Sequence, residues 1–162
     1  MVSPEELAGA FARNWSIIKS QTNGLTHTDT LLQPPFRGNC MNWVLGHILD
    51  TRNGVLKVLG ESPVVSETER VRPYGHGSEP VCGDGEGVLK LEQLLEKFES
   101  SQRAIEAGLK RISPEELARE TRDHRGPVTA AQRLFFLYFH ETYHVGQAEL
   151  LRQLAGTNDH VI

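Results

Sequence analysis

The sequence lacks the features that mark several classes of protein. Only two of its 162 residues are cysteines, Cys40 and Cys82, which are too few for a disulfide scaffold and match no zinc-ribbon spacing. No stretch approaches about 18 uninterrupted apolar residues, so we expect no membrane span. The amino terminus carries acids and a proline where a secretory signal carries a basic flank and an apolar run. We therefore expect a cytoplasmic protein, in a reducing compartment and without a membrane partner.

Positive charge is also scarce. The chain has 17 lysines and arginines against 21 aspartates and glutamates, a net charge of −4, and no long basic cluster. A nucleic-acid surface needs a basic patch or stripe, so we expect no nucleic-acid partner. The length of 162 residues predicts a single domain that spans residues 1–162.

Period-two alternation, the pattern of a half-buried strand, is absent over any useful length. Helical periodicity is present in four segments, and the sequence therefore predicts an all-α four-helix bundle. Ser3 and Asn39 suit helix starts. Gly60 and Gly156 suit helix ends. The four predicted helices cover residues 4–22, 39–60, 88–112 and 129–155.

Residues 61–87 join the second predicted helix to the third and contain three prolines and five glycines with no convincing period. They predict a long flexible loop of the kind that can cover a functional site. The word SPEELA occurs at residues 3–8 and again at residues 113–118, which we interpret as a shared helix-start signal and not as a duplication. The second copy predicts one short turn of helix, which residues 121–127 break.

The most informative feature is a pair of histidines in the last predicted helix. His140 and His144 are four residues apart, so both imidazoles face the same way and can meet one divalent metal ion. Leu137, Gln147 and Leu151 lie on the same stripe, which turns the pair into the bundle. Two inward histidines are costly unless they are paired or bound to metal. From this pair alone, a metal site and a hydrogen-bonded pair of core histidines remain equal alternatives.

A third histidine favours the metal site. His47 lies between Val44 and Ile48 on the apolar side of the second predicted helix, where alone it would be interpreted as a core histidine. With two histidines on another helix of the same bundle, it becomes the natural third ligand. Three neutral imidazoles leave open positions for water or substrate, as in a catalytic site. They suit zinc, nickel, copper and iron alike, so the residues alone do not identify the metal.

The stretch from His140 to His144 also spells the H-E-x-x-H motif of zinc metalloproteases, in which the glutamate polarises the attacking water. Such a protease needs a third ligand and a sheet edge beside which the peptide lies. The only histidine after His144 is His160, which lies outside the helical spacing for the same face, and no strand is predicted. We therefore do not interpret the chain as a protease.

Two stretches of the chain resemble the signatures of a known family. The stretch Asn42-Trp43-Val44-Leu45-Gly46-His47 matches the N-W-x-x-G-H helix of the DinB/YfiT-like superfamily. The stretch His140-Glu141-Thr142-Tyr143-His144-Val145-Gly146-Gln147 matches its H-x-x-x-H-x-G-Q helix, and Leu150-Leu151-Arg152 and Gly156 follow it. The resemblance spans the whole chain in order and length.

The resemblance to that superfamily carries its own expectations. It implies an up-down-down-up four-helix bundle, often a homodimer, with one divalent metal ion, most often nickel or zinc. By position, the three ligands are His47, His140 and His144. Characterised members are similar to transferases and isomerases that use low-molecular-weight thiols such as bacillithiol or mycothiol. Many members have no known reaction, so the resemblance implies the fold and the metal site more strongly than it implies an activity.

A metal-dependent thiol transfer is one hypothesis for this site. A metal ion with an open position lowers the pKa of a thiol, and the thiolate then attacks an electrophilic carbon. Two residues are candidates for catalysis: Gln147 would bind the reacting group, orient a ligand or only contact a neighbouring side chain or loop, and Glu141 is either a base or a partner of another helix. Arg52 is expected to form a salt bridge or to meet an anionic substrate. Trp43 and Tyr143 are expected to pack.

Two other classes of function stay open. A non-catalytic, stress-related protein that binds metal or a small ligand would use the same bundle and show no turnover with any thiol. A structural helical protein, whose histidines only pack, would purify without metal. The remaining histidines are expected to be solvated: His27, His76, His124 and His160.

Overall fold

A computed structural model describes residues 2–66, 73–123 and 126–157. Within these ranges the chain forms six helices and one two-stranded antiparallel sheet. None of the described helices is long and apolar enough to cross a membrane. The elements are α1 Pro4–Thr22, α2 His27–Thr30, α3 Met41–Leu59, α4 Leu91–Arg111, α5 Pro114–Ala118, β1 Glu120–Asp123, β2 Gly126–Thr129 and α6 Ala130–Leu154.

Local sequence signals explain where several helices begin. The Ser3 hydroxyl accepts a hydrogen bond from the amide of Glu6 at 3.1 Å, and the Glu6 carboxylate accepts one from the amide of Ser3 at 2.8 Å. This reciprocal cap satisfies two of the backbone donors that a helix start leaves open. The second SPEELA copy forms the same cap between Ser113 and Glu116, and it starts the five-residue helix α5. The repeat is therefore a helix-start signal, as the sequence indicates.

The four long helices form a bundle in which α1 and α6 run parallel to each other. Asn14 of α1 donates a hydrogen bond to Thr142 of α6 at 3.0 Å. Seven residues further along α1, the carbonyl of Gln21 accepts one from Arg152 at 2.9 Å. Because both sequence numbers rise together, the two helices point the same way.

Helices α3 and α4 run in the opposite direction to α1 and α6. Along α3, His47 lies against His144 of α6 and Thr51 lies against His140, so sequence numbers rise on α3 while they fall on α6. Helix α4 is parallel to α3 because Arg52 reaches Phe98 near the start of α4, and Leu59 lies beside Gly108 near its end. The bundle is therefore up-down-down-up, as the family resemblance implies.

Buried apolar side chains fill the bundle along its whole length. One cluster joins α1, α3, α4 and α6 around Trp15, Leu45 and Phe98. A second cluster joins the same four helices around Phe11, Leu56 and Ile105. Because every long helix contributes to both clusters, the bundle holds the α3 and α6 faces at a fixed separation, and these are the faces that carry the three histidines.

Several helix boundaries differ from the sequence prediction. Helix α3 has Cys40 and not Asn39 as its N-cap, and α4 begins at Leu91, three residues after the predicted start at residue 88. Gly60 ends α3 with a φ of 73°, a left-handed conformation that glycine adopts without strain, as predicted. The short helix α2 was not predicted because four residues carry no helical period.

The prediction that no strand occurs is also wrong, because a small hairpin forms in the segment predicted only as a break. Strand β1 pairs with β2 in the register Glu120↔Thr129 to Asp123↔Gly126. Each strand has four residues, which is too short for a period-two pattern to be detected. The hairpin leads directly into α6, whose N-cap is Thr129.

The long connection between α3 and α4 is without helix or strand in its described parts, as predicted for a loop. It is nevertheless packed onto the bundle, because four of its apolar side chains are buried: Val65, Tyr74, Val81 and Leu89. Segment 73–89 is therefore a loop with buried anchor residues, its flexibility stays a prediction, and residues 67–72 lie outside the described residues.

Candidate metal centre

Three histidine side chains meet between α3 and α6. One ring nitrogen from each of His47, His140 and His144 lies within 4.8 Å of the other two. The ring centroids are 4.6 Å apart for His140 and His144, 4.8 Å for His47 and His144, and 5.2 Å for His47 and His140. The structure thus brings together the three residues that the sequence analysis selects.

The Nδ1 atom of His47 faces a backbone oxygen. It lies 2.8 Å from the carbonyl oxygen of Tyr74, in segment 73–89. A carbonyl oxygen only accepts hydrogen bonds, so Nδ1 carries the proton. The Nε2 atom of His47 therefore keeps its lone pair.

The same assignment follows for His140. Its Nδ1 atom lies 3.0 Å from the hydroxyl oxygen of Thr51. The Thr51 hydroxyl donates its own proton to the carbonyl of His47 at 3.2 Å, so toward His140 it acts as the acceptor. Nδ1 of His140 is the donor, and Nε2 again keeps the lone pair.

His144 completes the pattern. Its Nδ1 atom lies 2.8 Å from the side-chain amide oxygen of Gln147, which accepts the proton. All three imidazoles therefore share one tautomer, in which an oxygen holds Nδ1–H and Nε2 is free to bind a metal ion. Metal-binding histidines in proteins are oriented by this kind of hydrogen bond from the second nitrogen. Of the roles that the sequence leaves open for Gln147, the hydrogen bond supports the orienting one.

The surroundings of His140 and His144 favour their neutral forms. Burial, with smaller contributions from charge on His144, His47 and His76, lowers the pKa of His140 to about 4. Burial also lowers the pKa of His144, against a smaller opposite effect of the hydrogen bond that His144 donates to Gln147. A neutral imidazole is the form that binds metal, so these two side chains are ready to bind near neutral pH.

Glu141 lies next to His140 in sequence but on another face of α6. Its side chain is fully buried, and its two carboxylate oxygens accept hydrogen bonds from Arg52 at 2.8 and 3.0 Å. Arg52 also donates to the carbonyl of Phe98 and to the hydroxyl of Ser101 on α4. Arg52 thus forms a salt bridge, and Glu141 has the role of a partner to another helix. Neither residue belongs to the histidine group.

Two aromatic residues beside the cluster differ in exposure. The Trp43 ring is buried and stacks on His47 with centroids 4.6 Å apart, which agrees with the packing role predicted for it. Tyr143 is 62% exposed and meets His144 edge-on with centroids 5.2 Å apart, so its ring packs against the cluster from the surface.

A cleft lies on each side of the cluster. One, of about 720 Å³, is lined by His140, Thr51 and Gly54, and it also includes Lys57 and Arg133. The other, of about 320 Å³, is lined by His144, Gln147, Trp43 and Tyr143, together with Phe36 and Arg37. Volumes of roughly 300–1,000 Å³ are typical of small-molecule sites. The histidine cluster can therefore be reached from two directions.

The other histidines and the two cysteines have different surroundings where the structure describes them. His27 lies on α2, half-buried, with Nε2 at 3.4 Å from Asp84, so the prediction that it is solvated is wrong. His76 is exposed, as expected, and His124 and His160 lie outside the described residues. Both cysteines are free thiols, with Cys40 buried and Cys82 exposed. Neither belongs to the described group.

Two residues that hold the ligands are not predicted by any pattern noted in the sequence. Thr51 follows His47 by four residues on α3, so helical spacing would have placed it on the same face. Tyr74 contributes a backbone oxygen from a loop, and no sequence pattern marks such a contact.

Comparison with known proteins agrees with this structure. Residues 10–148 match the family model of the DinB superfamily. No curated protein sequence matches the chain. A crystal structure of a conserved protein from Enterococcus faecalis is similar, with a TM-score of 0.75 over 97% of this chain and 99% of that one. The two sequences are 16% identical, so this likeness shows the fold alone.

Proposed function

This chain belongs to the DinB superfamily, and from that premise we propose that it is a metal-dependent enzyme that transfers a low-molecular-weight thiol to an electrophile. The proposed ligands are His47, His140 and His144, and the proposed metal is nickel or zinc. The observation that carries the proposal is the common tautomer of the three imidazoles, each with Nδ1–H on an oxygen and Nε2 bare.

The donor set fits a divalent transition metal. Imidazole suits zinc and nickel, and three protein ligands with an open position are typical of catalytic zinc sites. A divalent ion held there would lower the pKa of a thiol that reaches it and stabilise the resulting anion. A core pair of histidines without metal would more simply hydrogen-bond to one another, whereas here every Nδ1–H has an oxygen acceptor outside the cluster.

The protein's own groups would bind and orient the reactants. The two clefts beside the cluster support binding of two different molecules, one next to His140 and one next to His144. The first cleft includes Lys57, whose ammonium group suits an anionic reactant. The second is lined by aromatic rings, among them Trp43 and Tyr143, which suit an apolar electrophile.

The reaction itself needs little acid–base help from the chain. The thiol proton leaves to solvent, the sulfur forms a bond to the electrophilic carbon, and the leaving group departs with its electron pair. Because both oxygens of Glu141 are held by Arg52, we assign Glu141 no part in proton transfer. Gln147 is assigned to holding His144 in place.

Metal analysis is the first test of this proposal. Elemental analysis of untagged wild type should give about one equivalent of nickel or zinc per chain, and His144→Ala should lose it. His27→Ala is the matched control, because His27 lies outside the cluster and should leave the metal content unchanged. Wild type that holds no metal after incubation with zinc or nickel would refute the metal site.

A thiol assay then tests transfer. The metal-loaded protein is incubated with a panel of low-molecular-weight thiols and an activated aryl halide, and thioether formation is followed by mass spectrometry. We expect turnover with at least one thiol, and its loss in His144→Ala and in chelated wild type. Turnover that survives chelation would refute a metal-dependent reaction.

A non-catalytic metal-binding protein is the second candidate. It is favoured by one observation: the group formed by the described residues consists of three imidazoles, without a carboxylate or thiol that could transfer a proton. A full metal equivalent combined with no turnover for any thiol and electrophile would select this alternative.

We also propose that the chain pairs with a second copy of itself. Helix α6 exposes four large apolar side chains, Phe135, Phe139, Tyr143 and Leu150, each at least 50% exposed. A self-complementary pairing of one face in two copies would cover them without another partner. Light scattering should give twice the chain mass for wild type, and Phe139→Ser should give the monomer mass.

A further inference from the structure

The side chains of the N-W-x-x-G-H stretch on α3 contact segment 73–89. The Tyr74 hydroxyl donates a hydrogen bond to the Asn42 side-chain oxygen at 2.9 Å and accepts one from the Leu89 amide at 2.8 Å. The Asn42 side-chain nitrogen donates to the Leu89 carbonyl at 2.9 Å. These three bonds form a closed and fully buried network, so the segment is held at both of its ends.

Trp43 and His47 hold the part of the segment that lies nearest the metal site. The Trp43 indole donates a hydrogen bond to the Ser78 hydroxyl at 2.9 Å, and its ring stacks on His47. His47 donates to the carbonyl of Tyr74 at 2.8 Å. His47 is therefore held between α3, the Trp43 ring and the loop backbone.

Gly46 makes room for the Tyr74 ring. A Cβ atom at position 46 would lie 2.2 Å from Cδ1 of that ring, which is far inside van der Waals contact. Glycine inside a helix costs about 1 kcal/mol relative to alanine, so its presence here needs a packing reason. The Tyr74 ring supplies that reason, since it occupies the space that a side chain would fill.

From these contacts we propose that Tyr74 is a positioning residue for the metal site. Its ring seats segment 73–89 against Gly46, and its carbonyl then fixes the tautomer and ring plane of His47. This inference rests on the proposed metal-binding function. It means that docking of the segment and binding of the metal stabilise each other, because coupling between two sites is reciprocal.

Gly46→Ala tests the inference with a single methyl group. The variant favours the helix but displaces the Tyr74 ring, so the segment leaves its place while α3 stays intact. Gly9→Ala is the matched control, because it is the same substitution inside a long helix, α1, that carries none of the three histidines. Its added Cβ would have no described atom within 4 Å outside the backbone of its own helix. Circular dichroism checks that both variants keep their helical content.

Two measurements are made on each variant. The zinc dissociation constant comes from competition with a chromophoric chelator, and docking of segment 73–89 comes from hydrogen exchange with and without zinc. We expect Gly46→Ala to weaken zinc binding at least 10-fold and to speed exchange in the segment. Gly9→Ala should change the dissociation constant by less than 2-fold. Zinc should slow exchange of the segment in wild type.

A double-variant cycle separates positioning from general damage. Tyr74→Ala removes the ring and should weaken zinc binding about as much as Gly46→Ala. In the Tyr74→Ala background, Gly46→Ala should add less than 2-fold, because the clash no longer exists. Independent effects that multiply would overturn the inference. If Gly46→Ala does not fold, the comparison of Tyr74→Ala with Tyr74→Phe decides, since phenylalanine keeps the ring and should retain most of the affinity.

The outcomes distinguish this inference from the proposed function. Zinc bound by wild type and lost in His144→Ala, combined with unchanged affinity in a Gly46→Ala protein whose segment exchanges faster, would overturn only the role of Tyr74. Unchanged exchange in Gly46→Ala would overturn it as well. Wild type that binds no zinc would overturn both.

Discussion

Two pairs of residues lie one position apart on the same two helices and have opposite surroundings. Thr51 and His140 meet beside a cleft, where Thr51 accepts a hydrogen bond from a member of the histidine cluster. Arg52 and Glu141 meet in the interior, and both are fully buried. One step along a helix turns a side chain by about 100°, which is enough to change the neighbours of both partners. The comparison shows how one helix interface carries a reactive face and a structural face together.

The two faces differ in which of their polar atoms are satisfied. In the ion pair, both Glu141 oxygens are bonded to Arg52, and Arg52 also bonds to Ser101. In the histidine cluster, each Nδ1 has an oxygen partner, and one ring nitrogen of each histidine lies within 4.8 Å of those of the other two. The first face is closed and contributes to holding α3, α4 and α6 together. The second face has its Nδ1 atoms hydrogen-bonded and its Nε2 atoms available, which is the arrangement that a metal site needs. We call the Arg52–Glu141 face the closed face and the histidine face the open face.

The largest expected effect comes from breaking the closed face. Glu141→Leu leaves Arg52 buried without its anion, and we expect a loss of about 3–5 kcal/mol in the free energy of unfolding, measured by urea denaturation. The double variant Arg52→Met/Glu141→Leu removes both charges and should recover most of that loss. A single variant as stable as wild type would show that the pair does not hold the helices.

Metal binding at the open face should raise the free energy of unfolding. At a zinc concentration 100 times the dissociation constant, binding should raise the unfolding free energy of wild type by about 2.7 kcal/mol. His144→Ala should show no such increase, because two imidazoles remain. Thermal unfolding with and without zinc measures the difference. Equal stabilisation of both proteins would place the metal elsewhere.

Alkaline pH should act on the loop that supports the open face. Burial raises the pKa of Tyr74 to about 12, above its ordinary value of 10. Because the pKa of Tyr74 is higher in the folded protein than in the unfolded one, this residue stabilises the fold below pH 10. That stabilisation is lost as the pH rises from 10 to 12. Wild type should lose up to about 2 kcal/mol more than Tyr74→Phe over that range. Parallel stability curves for the two proteins would contradict this assignment.

The smallest effect should come from the residue that orients one ligand. Thr51→Val keeps the shape of the side chain but removes the oxygen that accepts from His140. We expect zinc affinity to fall about 10-fold, in the range that outer hydrogen-bond partners usually contribute. Thr51→Ser, which keeps the oxygen, should retain the wild-type value. Chelator competition measures both, and equal affinities for valine and serine would remove Thr51 from the site.

The sequence indicates the ligands because they obey helical spacing. His140 and His144 share a face of one helix, and His47 lies on the apolar side of another, so periodicity alone directs all three toward the bundle interior. The same rule leaves Glu141 ambiguous, since a residue rotated by 100° reaches either the edge of the site or a neighbouring helix. Only the packed structure shows that Arg52 is its partner.

The contacts made by the loop could not be predicted in this way. Segment 73–89 has no period, and its main contribution to the site is a backbone oxygen that every residue possesses. The partner of that oxygen is 27 residues away in sequence. Gly46 and Asn42 are indirect signs of the contact with the loop. A glycine inside a helix and a buried asparagine side chain both lower stability unless a packing contact or a hydrogen bond compensates. Their reason became visible only with Tyr74 in place.

The order of the helices has a consequence for how the site is made. Thr51 and His140, whose side chains meet in the site, are 89 positions apart, and α4, α5 and the hairpin lie between them. A contact over that separation forms late, after the cost of closing a long loop has been met. An ion that needs both helices would therefore bind a finished bundle and not a folding intermediate.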